Sequence, residues 1–202
     1  MKSFDDLDEI GERTNSVTLV FHNFMSRLAL QFWTRDYKQV AFLSRTHSEK
    51  HPSVQQNRLL NAYRIFYEGI AHLNLARDTK QVKWKLLGKN AVTRISKIAT
   101  VSKWNVEHKL NLLQAELHYL EGDLRSAEAA YTASIRSAHE NKYNSDKALA
   151  HELYGYFCVE NHRADKGLEQ LHIALDTYRQ WGATKKVTEL QLFVGMMNLC
   201  HL

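Results

Sequence analysis

The sequence predicts an all-α protein, a right-handed superhelix of stacked helical hairpins with about nine helices. Three observations predict this fold class: long stretches with a helical apolar period, a polar turn segment that recurs, and a shortage of residues that end short elements. The chain of 202 residues contains one proline and eight glycines. This is too few for the many tight turns of a β-sandwich or β-barrel, so long helices are the expected elements.

A short sequence pattern recurs and marks turns between helices. Residues 34–42 read TRDYKQVAF and residues 76–84 read ARDTKQVKW, so both contain Arg-Asp and, after one further residue, Lys-Gln-Val. Polar segments of the same kind occur twice more downstream. The four predicted turn positions are Arg35, Arg77, Gly122 and His162. Successive positions are 42, 45 and 40 residues apart, which indicates four repeated units.

Each unit is predicted to be a helical hairpin, because an apolar-periodic stretch, a polar turn and a second periodic stretch follow one another. The predicted organisation is an acidic N-terminal segment over 1–15, a single helical-repeat domain over 16–197 and a tail over 198–202. The repeat domain comprises units at about 17–50, 53–103, 105–142 and 144–181 and a terminal helix over 184–197. One hairpin cannot bury both of its faces, so we expect the units to stack into a continuous core.

Three local features predict how the hairpins pack. Ala127 and Gly167 each lie five residues after a turn position, where a small residue lets two helix backbones approach closely. Trp104 and Trp181 stand near repeat boundaries, and we expect their rings to fill gaps between hairpins. The chain after Glu189 is apolar, so we expect the terminal helix to pack on the fourth hairpin and to leave apolar surface exposed.

The third unit resembles a tetratricopeptide repeat in its pattern of small, turn, bulky and aromatic residues. The matching residues are Ala115, Gly122, Asp123, Leu124, Ala127 and Tyr131. The spacing between units is longer than the repeat of about 34 residues that is usual in that class. The resemblance therefore implies a lengthened, TPR-like solenoid.

A closer resemblance covers almost the whole chain. The segment from Ala148 to Leu190, with Trp181-Gly182-Ala183 near its end, and the run from Trp104 to Leu113 are similar to the helical repeat region of very large signalling proteins of bacteria and some algae. The basic stretch from Lys80 to Lys103 is similar to the lysine-rich helix of that region. There the region lies between a predicted ATPase domain, often preceded by a protein-kinase-like domain, and a GAF domain followed by a histidine kinase or nucleotide cyclase. The resemblance implies a non-catalytic scaffold for protein–protein or interdomain contacts in signal transduction.

The sequence has no motif that predicts catalysis by the chain itself. It contains no P-loop, no kinase motif set and no GxSxG elbow, and His151-Glu152 lacks the second histidine of a zinc protease. His47 and His51 have the spacing of two metal ligands, but no carboxylate or cysteine lies at ligand spacing nearby. We therefore expect surface histidines, no metal site and no cofactor. Cys158 is expected to be a small buried apolar side chain.

Positive charge is concentrated in one stretch of the chain. Residues 77–109 contain nine lysines and arginines and two acidic residues, whereas the formal net charge of the whole chain is +5. We expect an amphipathic helix here, with Val82, Leu86, Ile95 and Ile98 on its apolar face and the cations in water. The candidate partner-docking residues are Lys80, Lys83, Lys85, Lys89, Arg94 and Lys97.

The function of this basic helix is open at the level of sequence. A solvated helix face needs no partner, whereas a docking face would bind an acidic protein surface, a membrane surface or nucleic acid. We expect a protein partner, either a neighbouring domain or another chain, and not nucleic acid. Alternatively, the chain is a fragment of a histidine kinase or ATPase whose catalytic domains lie outside it. Without a signal-peptide pattern or a membrane-spanning apolar run, a cytoplasmic protein is expected.

Overall fold

The computed structural model describes residues 3–51 and 58–200. Within these ranges the chain is all-helical, with ten helices and no strand, which confirms the predicted fold class. The helices are α1 (Phe4–Arg13), α2 (Val17–Trp33), α3 (Tyr37–Lys50), α4 (Arg58–Thr79), α5 (Val82–Ala99), α6 (Lys103–Glu121), α7 (Leu124–Glu140), α8 (Asn144–Glu160), α9 (Ala164–Trp181) and α10 (Thr184–Cys200). The predicted start of the second unit, at residue 53, lies outside the described residues.

The helix count corrects the prediction of about nine, because the acidic segment over 1–15 also forms a helix, α1. A capping box starts it: the Asp6 N–H donates to the Ser3 hydroxyl at 3.1 Å, and the Ser3 N–H donates to the Asp6 carboxylate at 2.8 Å. Gly11 packs against Val20 of α2. The segment that we expected to be only an acidic N-terminal stretch is therefore a capped helix that packs on α2.

The chain divides into two compact units, Met1–Arg94 (unit 1) and Ile95–Leu202 (unit 2). Unit 1 contains α1 to α4 and most of α5, and unit 2 contains the end of α5 and α6 to α10. Consecutive helices pack against each other from α1 to α4 in unit 1 and from α6 to α10 in unit 2. The right-handed superhelix and the single repeat domain over 16–197 stay predictions.

The turns of unit 2 share one backbone geometry. A left-handed residue with φ between 59° and 82° follows each helix from α6 to α9, and these residues recur every 20 positions. They are Gly122, Lys142, His162 and Gly182. The N–H of the next residue donates to the carbonyl five residues back, as from Asp123 to His118 at 3.0 Å, which is the Schellman motif. The predicted turns at Gly122 and His162 are therefore confirmed.

Unit 1 contains one regular predicted turn and one that is displaced. Arg35 is left-handed, and Asp36 caps α3 by accepting the N–H of Gln39 at 3.1 Å. The turn predicted at Arg77 lies instead at Lys80, whose φ is 56°. Arg77 is still inside α4, because that helix continues to Thr79. The two copies of the Arg-Asp pattern therefore occupy different structural positions.

Helix α5 is amphipathic, but its buried face differs from the predicted one. Val82 and Leu86 are exposed, at 69% and 62%, while Ile95 is buried as predicted. Gly88 faces α4 so closely that a Cβ atom there would lie 2.5 Å from the Leu73 Cδ2 atom. The side of α5 with the small residues Gly88 and Ala91 therefore faces α4. The large apolar residues Val82 and Leu86 lie on the exposed side of the helix.

The core of unit 2 contains the predicted small residues but not the predicted tryptophans. Ala127 and Cys158 are fully buried, as expected. Trp104 and Trp181 are 65% and 47% exposed, because they lie at the second position of α6 and the last of α9. The buried rings are instead those of Tyr131, Tyr154, Phe157 and Tyr178.

The terminal helix α10 packs on α9, as predicted. Leu190 and Val194 are buried, whereas Leu192 and Met196 are exposed, so the helix also leaves apolar surface uncovered. No helix in the described ranges has the length and apolar content needed to cross a bilayer.

Candidate functional site

A groove in unit 1 brings basic and aromatic side chains together between α3, α4 and α5. Its volume is about 760 Å³, within the range of roughly 300–1,000 Å³ that is usual for ligand pockets. The charged residues that line it are Lys38, Arg45, Arg64, Glu68, Lys83 and Arg94. Among the described residues, five cations and one carboxylate thus line what we call the basic groove.

Helical periodicity places these side chains along the same surface. On α3, Lys38, Ala41 and Arg45 follow one another at spacings of three and four residues and line the groove. On α4, the lining residues Arg64, Glu68 and His72 are spaced by four. On α5 the lining residues lie near the start of the helix and at Arg94. The groove therefore forms where the lining side chains of α3, α4 and α5 come together.

Glu68 is the centre of a buried hydrogen-bond group in the groove. Its Oε1 atom accepts the Ser44 hydroxyl at 2.6 Å and the Arg64 Nη1 group at 3.1 Å. The Nε and Nη2 groups of Arg64 also donate to the Asn61 Oδ1 atom, at 3.3 and 3.0 Å. Arg64 is thereby fixed in place, and the charge of Glu68 is already engaged.

Arg94 differs from Arg64, because in the described part of the chain it makes no hydrogen bond and no ion pair. It is partly buried. Burial lowers the pKa of Arg94, the charge of Arg64 lowers it further, and the charge of Glu68 opposes both. An arginine remains protonated in proteins, so the guanidinium keeps a positive charge with its donors unused.

Aromatic surface lies next to this charge. The Trp84 ring stacks on His72 with centroids 5.4 Å apart, and the Lys83 Nζ atom lies 4.5 Å from the Trp84 ring centroid. Burial lowers the pKa of His72 to about 4, so this ring is neutral at pH 7. Phe42 and Leu87 also line the groove and are exposed. The groove therefore offers both positive charge and apolar contact area.

The groove contains two of the six predicted docking residues. Lys83 and Arg94 line it, whereas Lys80, Lys85, Lys89 and Lys97 do not. Lys80 forms the turn before α5, and Lys97 belongs to unit 2. Sequence reasoning missed the cations that α3 and α4 supply. The available signal was weak: Lys38 and Arg45 stand two helical turns apart in a helix of otherwise ordinary composition.

A second cavity, of about 400 Å³, lies in unit 1 among α1, α2 and α3. Its acidic residues are largely paired, since Arg27 bridges Asp5 and Asp8 at 3.2 and 2.9 Å. His47 also lines it and stacks on Phe24 with centroids 3.9 Å apart. Burial lowers the pKa of His47 to about 4. Four carboxylates and two cations line this cavity, and three of the carboxylates are already paired with a cation of the chain, so it is a weaker candidate.

The expectation of surface histidines is wrong for several residues. The buried histidines are His47, His72, His108 and His151. They lie in aromatic stacks or polar networks, as His151 does with its Nδ1 atom 2.8 Å from the Gln170 Oε1 atom. Among the described residues, no group of three or more metal-binding side chains is placed to hold an ion.

Buried ion pairs in unit 2 connect helices rather than form a pocket. The Lys109 Nζ atom lies 2.8 Å from Asp146, so this lysine of the basic stretch is withdrawn from the surface. The Lys186 Nζ atom lies 2.7 Å from the Glu152 Oε1 atom, and the Tyr178 hydroxyl donates to Oε2 at 2.6 Å. These pairs join α6 to α8 and α8 to α9 and α10.

Comparison with protein-family models, with curated proteins and with solved structures finds no match for the chain. The fold and the basic groove are therefore the features that bear on function.

Proposed function

We propose that the chain is a non-catalytic helical-repeat module that binds other proteins, and that the basic groove of unit 1 docks an acidic segment of the partner. The observation that carries this proposal is the charge of the groove, where five cations and one carboxylate line the same surface. Opposite charge on a partner steers its approach and fixes its orientation.

The burial of Arg94 favours docking over a merely solvated helix face. Surface cations are ordinarily exposed and need no partner. Arg94 is instead partly withdrawn from water, beside Arg64, with no hydrogen bond inside the described chain. Burying a charge without a partner is unfavourable, and an anionic segment in the groove offsets that cost.

The apolar lining favours a protein segment over nucleic acid. Phe42 and Leu87 are exposed in the groove beside the cations, and they provide contacts for apolar side chains of a peptide. Lys80, in the turn before α5, and Lys85 and Lys89 of α5 do not line the groove, so they do not lengthen its basic lining into a track. A phosphate backbone would be held by such a track.

The sequence resemblance supports a place for this module in signal transduction. We propose that it acts as a spacer and docking element between domains or chains, while the catalytic steps belong to other domains.

Fluorescence polarisation with short labelled probes tests the docking proposal. The probes are a peptide of alternating glutamates, leucines and phenylalanines, the same peptide with lysine in place of glutamate, and a single-stranded oligonucleotide. At about 150 mM salt, we expect the acidic peptide to bind and the lysine peptide not to bind. Tighter binding of the oligonucleotide than of the acidic peptide would overturn the proposal in favour of nucleic acid.

Charge reversal locates the binding surface. The double variant Lys38→Glu/Arg45→Glu replaces two groove cations on α3, and we expect it to weaken peptide binding at least about tenfold. Its matched control is Arg125→Glu/Lys185→Glu, which reverses two exposed cations of unit 2. Equal weakening by both double variants would show that the peptide responds to net charge and not to the groove.

A further inference from the structure

We propose that the basic groove recognises a phosphorylated side chain in the acidic segment, with the phosphate group bound between Arg64 and Arg94. This inference rests on the proposed docking function and specifies its ligand. The observations that carry it are the donors and charges at the α4–α5 side of the groove.

Arg64 and Arg94 both have N–H donors that the described chain does not use. A guanidinium has five N–H donors. Arg64 uses donors on Nε, Nη1 and Nη2 for Asn61 and Glu68, which leaves one N–H on each of its two terminal nitrogens. Arg94 uses none within the described chain. Two forks with free N–H groups therefore line the same groove.

The charged side chains around the two arginines carry a net positive charge. Glu68 is the carboxylate that acts on both arginines, and it already accepts from Ser44 and Arg64. Lys83 adds a further positive charge on the α5 side, while the buried His72, with its pKa lowered to about 4, adds none at pH 7. A single ligand carboxylate would leave this part of the groove positive. A phosphomonoester carries a charge of about −1.5 to −2 at pH 7 and balances it better.

The number of acceptor oxygens favours a phosphate over a carboxylate as the group between the two arginines. A phosphate has three terminal oxygens and accepts two parallel N–H bonds from an arginine fork, so it has enough acceptors for two arginines at once. A carboxylate has two oxygens, so one bidentate fork already engages both of them and leaves fewer acceptor sites for a second arginine than a phosphate offers. Glu68 repels an incoming phosphate, but its hydrogen bonds with Ser44 and Arg64 reduce that repulsion.

The neighbouring apolar surface identifies the source of the phosphate as a peptide. Phe42 and Leu87 are exposed along the groove, and the Trp84 ring lines it as well. These side chains fit the apolar neighbours of a phosphorylated residue. Inorganic phosphate would use the arginines alone.

Isothermal titration calorimetry with four probes tests the inference. The probes are the acidic peptide with a central phosphoserine, the same peptide with glutamate or with serine at that position, and inorganic phosphate. We expect the phosphoserine peptide to bind at least about tenfold more tightly than the glutamate peptide, and inorganic phosphate to bind more weakly than either. Equal affinity of the phosphoserine and glutamate peptides would overturn the phosphate inference and leave the docking proposal standing. Binding by none of the peptides would overturn both, and tighter binding of inorganic phosphate than of the phosphopeptide would overturn the peptide source.

Variants of Arg94 provide a second test of the phosphate inference. Arg94→Gln removes no hydrogen bond within the described chain, and we expect the phosphoserine peptide to lose its advantage over the glutamate peptide, to within about twofold. Arg94→Lys keeps the charge but loses the planar fork, so an intermediate advantage is expected. Lys97→Gln is the control, because it removes one exposed cation of α5 outside the groove. An unchanged phosphoserine advantage in Arg94→Gln, with the circular dichroism of the wild type, would place the phosphate elsewhere.

Discussion

Gly155 of α8 and Gly167 of α9 lie backbone to backbone in unit 2. A Cβ atom on Gly155 would lie 3.1 Å from the Gly167 carbonyl oxygen and 2.6 Å from the Leu171 Cγ atom. A Cβ atom on Gly167 would lie 3.0 Å from the Gly155 carbonyl oxygen and 2.5 Å from the Val159 Cγ2 atom. Side-chain and backbone atoms therefore both limit the space at this crossing.

The first prediction is that Gly167→Ala destabilises the protein. The added methyl group must displace the Gly155 carbonyl and the Val159 side chain, which costs about 1–3 kcal/mol of unfolding free energy. Urea unfolding followed by circular dichroism measures the change. The matched control is Gly195→Ala in α10, where no atom lies within 4 Å of the added position. We expect the control to be neutral or to gain up to about 1 kcal/mol, because alanine favours a helix interior. Equal stability of both variants would show that the crossing tolerates a wider separation.

The helical fold and most turn positions follow from the sequence because they depend on local patterns. Apolar spacing of three and four predicts helices, and polar segments near Arg35, Gly122 and His162 predict turns that the structure contains. The turn predicted at Arg77 was wrong for a physical reason. A repeated Arg-Asp pattern fixes a turn only where the aspartate caps the next helix, as Asp36 does, and Asp78 lies inside α4.

The site was harder to predict, because it depends on how separate helices meet. Lys83 and Arg94 belong to the basic stretch that the sequence indicated, and both line the groove. Arg64 lies on another helix, and its role depends on contacts with Asn61 and Glu68 that composition does not show. Lys109 was part of the same basic stretch but is buried against Asp146. A count of charges along the chain therefore does not show that Arg94 lines the groove whereas Lys109 is buried in an ion pair.

The second prediction concerns the buried pair of Glu152 and Lys186. Lys186→Met leaves a buried carboxylate without its cation, and we expect a loss of about 3–5 kcal/mol of unfolding free energy. The double variant Glu152→Gln/Lys186→Met removes the charge and still accepts the Tyr178 hydroxyl, so it is expected to be more stable than the single variant. Lys185→Met replaces an exposed neighbour and is the control. A single variant as stable as this control would show that water, not Lys186, compensates Glu152.

The third prediction concerns the left-handed turns. Lys142 has φ 61° and Gly122 has φ 82°, at equivalent positions of consecutive turns. A side chain in this conformation costs roughly 1–2 kcal/mol, part of which the greater freedom of glycine in the unfolded chain offsets. We therefore expect Lys142→Gly to raise stability by up to about 1 kcal/mol and Gly122→Ala to lower it by about the same amount. Thermal unfolding of the two variants measures the gain and the loss of stability. A loss of stability in Lys142→Gly would show that the left-handed conformation of Lys142 does not cost the folded state.

The fourth prediction concerns acid stability and the carboxylate of Glu128 on α7. Lys166 donates to it at 2.5 Å, Tyr154 at 2.7 Å and Arg163 at 2.6 Å. Chiefly through Lys166, then Tyr154 and Arg163, these bonds lower the pKa of Glu128 from 4.5 to about 2. A carboxyl group with a lowered pKa stabilises the folded state fully above its unfolded pKa, and this contribution is lost as the pH falls through the folded pKa.

We therefore expect Glu128→Gln to be less stable than the wild type at pH 7, and the difference to shrink as the pH falls from about 4.5 to about 2. The side chains of this cluster are about a third exposed, so solvent screening limits the difference at pH 7 to about 1 kcal/mol. Urea unfolding at a series of pH values measures it. The control Glu140→Gln removes an exposed carboxylate from the same helix, and its curve is expected to run parallel to that of the wild type. If the difference for Glu128→Gln stayed constant down to pH 2, the substitution would act through packing and not through the charge of Glu128.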